Sequence, residues 1–126
     1  MVTFGDHLYA GTSNESGGEL WRSDGGAWEQ VAAGGFDDAA NTDMDHLAVF
    51  SNMLYVATNY STGTPQIWRS PSGDFDSWEK VKDGLGGVMH VFDGYLYLGG
   101  SQDGKAALWR TENGTDWTPI FTDGLG

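Results

Sequence analysis

Residues 96–120 read LYLGGSQDGKAALWRTENGTDWTPI, and the pattern of this stretch occurs three times in the chain. Each copy has an aliphatic residue before a Tyr, then Trp-Arg-Ser or Trp-Arg-Thr, a Gly-containing turn, and a second Trp with an aliphatic residue three positions later. The copies are Leu8-Tyr9, Trp21-Arg22-Ser23, Trp28 and Val31; Leu54-Tyr55, Trp68-Arg69-Ser70, Trp78 and Val81; and Leu96-Tyr97, Trp109-Arg110-Thr111, Trp117 and Ile120. Every tryptophan and arginine of the chain lies at one of these positions, so the repeat accounts for most of the sequence.

The spacing of the copies predicts the architecture. The tyrosines are 46 (55 − 9) and 42 (97 − 55) residues apart. A period in the forties with strand-like segments is typical of β-propeller blades. We therefore predict an all-β chain of three four-stranded antiparallel blades, at about residues 1–36, 37–84 and 85–126.

Each copy divides into four short strands separated by turn signals. In the third copy, Asp93-Gly94 predicts a tight hairpin, and the polar stretch Ser101–Lys105 is expected to form a loop. The predicted strands are Val88–Phe92, Tyr95–Gly99, Ala106–Thr111 and Trp117–Phe121 in the third copy; Asp45–Phe50, Met53–Thr58, Gln66–Ser70 and Trp78–Lys82 in the second; and Val2–Phe4, Leu8–Thr12, Glu19–Ser23 and Trp28–Ala32 in the first.

The inner strands carry apolar residues on both faces. Leu96 and Leu98 point to one side of the predicted sheet and Tyr97 to the other, whereas a sheet coated on one side alternates apolar and polar residues more strictly. Blades that stack against a neighbour on each side need this pattern. The fourth strands carry charged residues, as expected of protected outer edges: Glu29, Glu79, Lys80 and Lys82.

The turns after the Trp-Arg-Ser/Thr motif resemble a known hairpin. Ser23-Asp24-Gly25-Gly26-Ala27-Trp28 and Thr111-Glu112-Asn113-Gly114-Thr115-Asp116-Trp117 are similar to the Asp-box (BNR) hairpin of sialidase-like propellers, and the repeat as a whole also resembles Kelch-like blades. The second copy, residues 70–78, departs from the Asp-box by inserted residues. The resemblance implies a propeller fold and says little about function, because Asp-boxes in these families are mainly turn-forming elements away from active sites.

Three blades are too few to close a ring, since propellers have about 4–8 blades. We expect two chains to join head to tail as a homodimer, giving a six-bladed propeller through a heterologous interface that closes after two subunits. The ends favour this arrangement, because residues 123–126 repeat the Asp-Gly-Leu-Gly of residues 83–86, which leads into a new blade. The alternative is an engineered or natural propeller fragment that needs its missing blades covalently.

Charge and composition exclude several classes of partner. The net charge is −12, from 6 basic and 18 acidic residues, and binding to nucleic acid or an anionic membrane draws on Lys and Arg stripes that the sequence lacks. There is no cysteine, and the sequence shows neither a membrane-length apolar run nor a signal-peptide pattern. We expect a soluble protein of undetermined compartment.

The repeated Tyr, Trp and Arg residues are expected to be structural. Arg22, Arg69 and Arg110 invite comparison with the arginine triad of sialidases, but equivalent positions in successive blades lie at equal radius and cannot converge on one ligand. We expect each to pair with a carboxylate or carbonyl between blades. Core filling between blades is likewise predicted for the other members of the repeat: Tyr9, Tyr55, Tyr97, Trp21, Trp68 and Trp109.

Candidate ligand-binding residues lie in the loops and on the second tryptophans. Polar loops at Ser13–Gly18, Asn59–Thr64 and Ser101–Lys105 would give repeated sites for a glycan or protein ligand. The second Trp of each copy lies nearer the periphery and is a candidate platform for stacking. The candidate residues are Asn14, Asn59, Asp103, Trp28, Trp78 and Trp117.

The densest group of oxygen ligands lies between the first and second copies. Asp37, Asp38, Asp43 and Asp45 could hold Ca²⁺, which takes several carboxylate and carbonyl oxygens from flexible loops. The spacing fits no EF-hand, and a solvated acidic loop is the favoured interpretation. No other cofactor is expected.

The sequence favours a non-catalytic scaffold or binding module that assembles with itself. The alternative is a sialidase- or glycosidase-like propeller hydrolase that uses Asp residues near the channel mouth. Such an enzyme needs two carboxyl groups at a defined separation, one with a raised pKa, and no pair in this sequence stands out.

Overall fold

The computed structural model describes residues 1–59 and 64–124, and in these residues twelve strands form three four-stranded sheets. Sheet 1 contains β1 (Val2–Phe4), β2 (His7–Gly11), β3 (Leu20–Ser23) and β4 (Glu29–Ala32). Sheet 2 contains β5 (Asp43–Phe50), β6 (Met53–Asn59), β7 (Gln66–Ser70) and β8 (Glu79–Asp83). Sheet 3 contains β9 (Val88–Phe92), β10 (Tyr95–Gln102), β11 (Lys105–Thr111) and β12 (Trp117–Phe121). Neighbouring strands are antiparallel and follow chain order, which confirms the predicted all-β organisation in three four-stranded antiparallel sheets.

The three sheets share one register. The Tyr of the second strand lies opposite the Arg of the third strand in each sheet: Tyr9 and Arg22, Tyr55 and Arg69, Tyr97 and Arg110. The pairing of the third and fourth strands shifts directly before the first Trp of each copy. Because register fixes which side chains share a face, equivalent residues of the three copies can be compared directly.

One turn of sheet 3 is confirmed and one predicted loop is wrong. Asp93 and Gly94 have φ angles of 50° and 79° and form the expected hairpin turn. The Ser101–Lys105 stretch is not a loop, because β10 extends to Gln102 and β11 begins at Lys105. Asp103 and Gly104, with φ of 51° and 76°, make a two-residue turn, the same Asp-Gly signal that closes the β9–β10 hairpin.

A short turn after sheet 1 has no counterpart in the sequence predictions. The helical turn α1 (Gly34–Asp37) has φ between 57° and 65° at all four residues, which is the left-handed region. Asn41 holds it, because its Nδ2 donates to the carbonyl of Gly35 at 2.9 Å. The Phe36 ring stacks on Trp68 of sheet 2, with the ring centroids 4.4 Å apart. A tertiary contact therefore fixes a backbone conformation that Phe and Asp rarely adopt alone.

The core lies between the sheets. One apolar cluster joins sheet 1 to one face of sheet 2, where Tyr9 and Leu20 meet Leu54 and Val56. A second cluster joins the other face of sheet 2 to sheet 3, where Tyr55 and Ile67 meet residues such as Leu96 and Leu98. Both faces of sheet 2 are thus covered, as the apolar pattern of its strands predicts. Within the described ranges no helix is long and apolar enough to cross a membrane.

Candidate functional site

The repeated residues meet at two junctions between neighbouring sheets. We call junction 1–2 the contact of sheet 1 with sheet 2 through the β7–β8 hairpin, and junction 2–3 the contact of sheet 2 with sheet 3 through the β11–β12 hairpin. At each junction the Tyr and Arg of one sheet face the Gly-containing hairpin of the next. The two junctions use the same chemistry with different acceptors.

At junction 1–2 a tyrosine lies directly beneath a glycine. The Tyr9 hydroxyl donates to the carbonyl of Ser72 at 3.3 Å. A Cβ atom added to the adjacent Gly73 would overlap that hydroxyl, and Gly73 has a φ of +75°, so both space and backbone conformation require glycine here. Ser70 holds the turn, because its Oγ accepts the Gly73 N–H at 2.6 Å.

Arg22 adds an ion pair across the same junction. Its Nη1 lies 2.8 Å from Oδ1 of Asp74 in sheet 2, and its Nε lies 2.9 Å from Oε2 of Glu29 in its own sheet. The pKa of the Arg22 guanidinium is raised, first by the Tyr9 hydroxyl and then by the Asp74 carboxylate. The pKa of Asp74 is lowered, first by its hydrogen bond from Arg22 and then by Ser72.

Junction 2–3 repeats this arrangement with a neutral acceptor. A Cβ atom on Gly114 would overlap the Tyr55 hydroxyl, and Thr111 Oγ1 accepts the Gly114 N–H at 2.8 Å. Arg69 donates through Nη1 to the carbonyl of Asn113 at 3.5 Å. The two arginines therefore contact a carboxylate and a carbonyl of the next sheet, which is the pairing expected from the sequence.

The second tryptophans complete the junctions. Trp78 of sheet 2 is half-buried, and its indole Nε1 donates to the carbonyl of Val31 in sheet 1 at 3.0 Å. Trp117 of sheet 3 is half-buried and packs with the cluster that contains Val81 of sheet 2. Trp28 of sheet 1 is 47% exposed. Two of the three candidate platforms for stacking thus pack against a neighbouring sheet, whereas Trp28 lies on a face of sheet 1 that no other described sheet covers.

The first tryptophans are half-buried within their own sheets. Trp21 donates through Nε1 to Glu19 at 3.0 Å, and Trp68 donates to Gln66 at 2.9 Å. Ala107 stands at the equivalent position of sheet 3, and the buried Trp109 Nε1 has no hydrogen-bond partner among the described residues. Trp109 packs against the apolar cluster between sheets 2 and 3, and Trp68 stacks on Phe36.

Among the described residues, no other sheet covers the face of sheet 3 that carries Tyr97 and Arg110. Tyr97 is half-buried, whereas Tyr9 and Tyr55 are fully buried. The Arg110 guanidinium lies 4.4 Å from the centroid of the Tyr95 ring, and its pKa is raised, first by Tyr97. In the part of the chain that the structure describes, Arg110 forms no ion pair.

The three polar residues proposed for ligand binding lie in different kinds of local structure. Asn14 lies in an exposed turn, where its Oδ1 accepts the Ser16 N–H at 3.0 Å. Asn59 ends β6, and the residues 60–63 of its predicted loop lie outside the described ranges. Asp103 lies in a two-residue turn. The structure therefore gives these three residues different local settings, so equivalent loop sites stay a prediction.

The acidic residues of the predicted calcium site are not gathered. Asp38 Oδ1 accepts the Ala40 N–H at 3.1 Å, Asp43 begins β5, and Asp45 Oδ1 lies 3.5 Å from Nε2 of His46. Asp37 lies in the left-handed turn α1. Among the described residues, no three Asp, Glu, His or Cys side chains come together to hold a metal ion.

A shallow pocket brings together Trp78, a candidate for stacking, and Asp37, a candidate calcium ligand. It has a volume of about 180 Å³ and lies beside α1, between sheets 1 and 2. Trp78, Trp68, Phe36 and the exposed Phe75 supply aromatic surface. Asp37 and Asp76 supply carboxylates at its rim. No pattern in the repeat predicts this pocket, because α1 and Phe75 lie in segments that differ between copies.

A scan against known protein families finds no match, and no similar protein is found among curated sequences. The site is therefore defined by its geometry alone. The hairpin glycines and their neighbours Ser72, Asp74 and Asn113 are junction residues that the sequence analysis did not assign. The signal for them is the glycine that follows Ser70 and Thr111 by three positions in each hairpin.

Proposed function

We propose that this protein is a self-assembling, non-catalytic β-propeller module, in which two chains join head to tail to form a ring of six blades. Each four-stranded sheet is one blade. The two junctions within the chain set how each blade packs on the next. Propellers contain about 4–8 blades, and a second copy of this chain would supply three more. The Asp-box-like hairpin of residues 111–117 lies at junction 2–3, which suits a structural role.

The observation that carries this proposal is the exposure of the two terminal faces. Phe92 on sheet 3 is 66% exposed, whereas its equivalent Phe50 is 6% exposed beneath the following sheet. Leu8 on sheet 1 is 39% exposed, whereas its equivalent Leu54 is fully buried. Large apolar side chains left open at both ends are typical of an interface. Sheets 1 and 3 each leave exposed the face whose equivalent in sheet 2 is buried.

The two open faces correspond to the two different sides of an internal junction. The open face of sheet 3 is therefore expected to contact the open face of sheet 1 rather than a second copy of itself. Sheet 3 presents the side that carries Tyr97, Arg110 and Ile120, and sheet 1 presents the side that carries its Gly hairpin and Trp28. Contact between unlike faces is heterologous, and it closes after two subunits only when the rotation is right. A ring of six sheets, three from each chain, has two identical joints between the chains. Each joint covers the open face of one sheet 3 and the open face of one sheet 1.

Native mass in solution tests the proposal. Size exclusion with light scattering should give a sharp species near twice the 13.6 kDa chain mass. A monomer would contradict self-assembly. A closed species of three or more chains would contradict the six-bladed ring while retaining head-to-tail contact.

The aromatic pocket beside α1 supports a second candidate function, recognition of a glycan. Aromatic rings flanked by carboxylates suit a sugar, whose apolar face stacks on a ring while its hydroxyls donate to oxygen. Phe75 is the exposed ring of this pocket. A glycan array should show binding that Phe75→Ala removes and that Thr115→Ala, an exposed change in another hairpin, leaves intact. Hydrolysis of the bound glycan would instead favour a glycosidase.

A further inference from the structure

The residues that join the two copies follow from the internal junctions, and this step rests on the proposed self-assembly. Junctions 1–2 and 2–3 share three contacts: a Tyr hydroxyl beneath a hairpin Gly, an Arg to a residue next to that Gly, and a hairpin Trp over the aliphatic residue of the preceding fourth strand. Each terminal sheet holds one half of this set. The halves are complementary.

Sheet 3 holds the half that reaches forward. Tyr97 keeps the setting of its equivalents, since the Phe92 ring lies 6.5 Å away at a 54° tilt, against 6.1 Å and 56° for Phe50 and Tyr55. Ile120 is 46% exposed, whereas its equivalent Val31 is 1% exposed beneath Trp78. Arg110 contacts the Tyr95 ring, while Arg22 and Arg69 each reach the following hairpin.

Sheet 1 holds the half that receives. Gly25 has a φ of +107° and open space where its Cβ would lie, and its N–H bonds to Ser23 Oγ at 3.0 Å, as the N–H groups of Gly73 and Gly114 bond to Ser70 and Thr111. Gly25 follows Ser23 by two positions, whereas Gly73 and Gly114 follow Ser70 and Thr111 by three. This shorter hairpin keeps the bond from the glycine N–H to the Ser or Thr Oγ, and among the described residues no tyrosine lies beneath its glycine. Asp24 directly precedes Gly25 and is exposed, as Asn113 precedes Gly114.

We infer that Tyr97 and Arg110 of one copy hold the Asp24-Gly25 turn of a second copy, with Trp28 packed over Ile120. Arg69 uses the carbonyl that precedes its glycine, and Arg22 uses a carboxylate that follows its glycine. Asp24 offers both a carbonyl and a carboxylate directly before its glycine, as Asn113 lies directly before Gly114. A charged hydrogen bond of this kind fixes which faces pair more than it adds affinity.

Charge reversal on separate chains tests this contact. Arg110→Glu alone places like charges at both joints of a dimer, and so does Asp24→Arg alone. We expect the dimer dissociation constant of each variant to rise by about 100-fold, because like charges in contact are unfavourable at both joints. An equimolar mixture should form a heterodimer, since one joint then pairs the two introduced charges and the other keeps the native pair. Light scattering and native mass spectrometry of the mixture report this species.

The outcomes separate the contact from the self-assembly. A dimeric wild type with dimeric single variants, or a mixture that stays monomeric, overturns the Arg110–Asp24 contact while the proposed ring stands. A monomeric wild type overturns both. Matched controls are Lys105→Glu and Asp103→Arg, which make the same charge changes at the β10–β11 turn and should leave the mass unchanged.

A second variant keeps the test decisive if charge reversal disturbs a fold. Trp28→Ala removes only an exposed side chain, so its circular dichroism should match that of the wild type. We expect its assembly to weaken by roughly tenfold or more, since buried aromatic residues are the usual anchors of an interface. Unchanged assembly in this variant would overturn the inferred joint.

Discussion

Sheet 2 and the two terminal sheets carry the same repeat but differ in what covers them. Sheet 2 has a neighbour on each face, and its Phe50, Leu54 and Tyr55 are buried. In sheet 1 the face with Leu8 is open, and in sheet 3 the face with Phe92 is open. The same residue types therefore stabilise the fold in one sheet and form exposed apolar surface in another. Burial in a repeat protein is therefore a property of the contact between copies rather than of the copy itself.

The largest expected effect comes from deleting equivalent aromatic side chains. Phe50→Ala should lower the free energy of unfolding by about 3–5 kcal/mol, because it leaves a cavity between sheets 2 and 3. Phe92→Ala should change the unfolding of the isolated chain far less, and should instead weaken assembly. Urea denaturation at low protein concentration measures the first effect, and light scattering measures the second. Equal destabilisation of the isolated chain by both variants would remove the distinction between covered and open faces.

A smaller effect is expected from filling the hairpin glycines. Gly73→Val should destabilise the chain by about 3 kcal/mol, because the side chain overlaps Tyr9 and the positive φ is strained. Gly25→Val has the strain without the overlap, so it should cost the isolated chain less and should prevent assembly. Gly104→Val, at an open turn with φ +76°, controls for backbone strain alone. Assembly of Gly25→Val at wild-type strength would contradict the expected position of Tyr97.

The smallest expected effect is a pH dependence of stability that comes from junction 1–2, whose acceptor is a carboxylate, and not from junction 2–3, whose acceptor is a carbonyl. The pKa of Asp74 is lowered in the folded chain, mainly by Arg22. Its contribution to stability is therefore present above the unfolded pKa of about 3.9 and is lost as the pH falls through the lower folded pKa. Asp74→Asn should be slightly less stable than the wild type at neutral pH, and the gap should narrow below about pH 4. Thermal unfolding of both proteins across that range measures the gap, and a gap that widens in acid would contradict the role of this ion pair.

Much of the local structure was predictable because each strand is defined by nearby residues. Val88–Phe92, Gln66–Ser70 and Trp117–Phe121 were predicted with their observed ends. The Ser101–Lys105 loop was wrong, because its polar residues outweighed the Asp-Gly signal in the prediction. The turn α1 could not be predicted, because its left-handed backbone depends on Asn41 and on the stacking of Phe36 against Trp68.

Part of the candidate site was predictable from the sequence and part was not. The equivalence of Arg22, Arg69 and Arg110 was visible in the spacing. The expected pairing with a carboxylate or carbonyl of the next sheet is found for Arg22 and Arg69. Their partners Asp74 and Asn113 were not visible in the spacing, because they lie at different offsets in hairpins of different length. Sequence periodicity fixes the residues that repeat, whereas it cannot align insertions that change how far a hairpin reaches.

Strand periodicity and short-range turn chemistry specify three copies of a four-stranded sheet and the residues that fill them. The packing of one sheet on the next sets which faces are covered, which glycine lies above each tyrosine, and how the pocket beside α1 is lined. The junctions depend on side chains far apart in the sequence, such as Arg22 and Asp74, separated by 52 positions. Such contacts form only when neighbouring sheets pack, and the spacing of a repeat does not encode the packing of its ends.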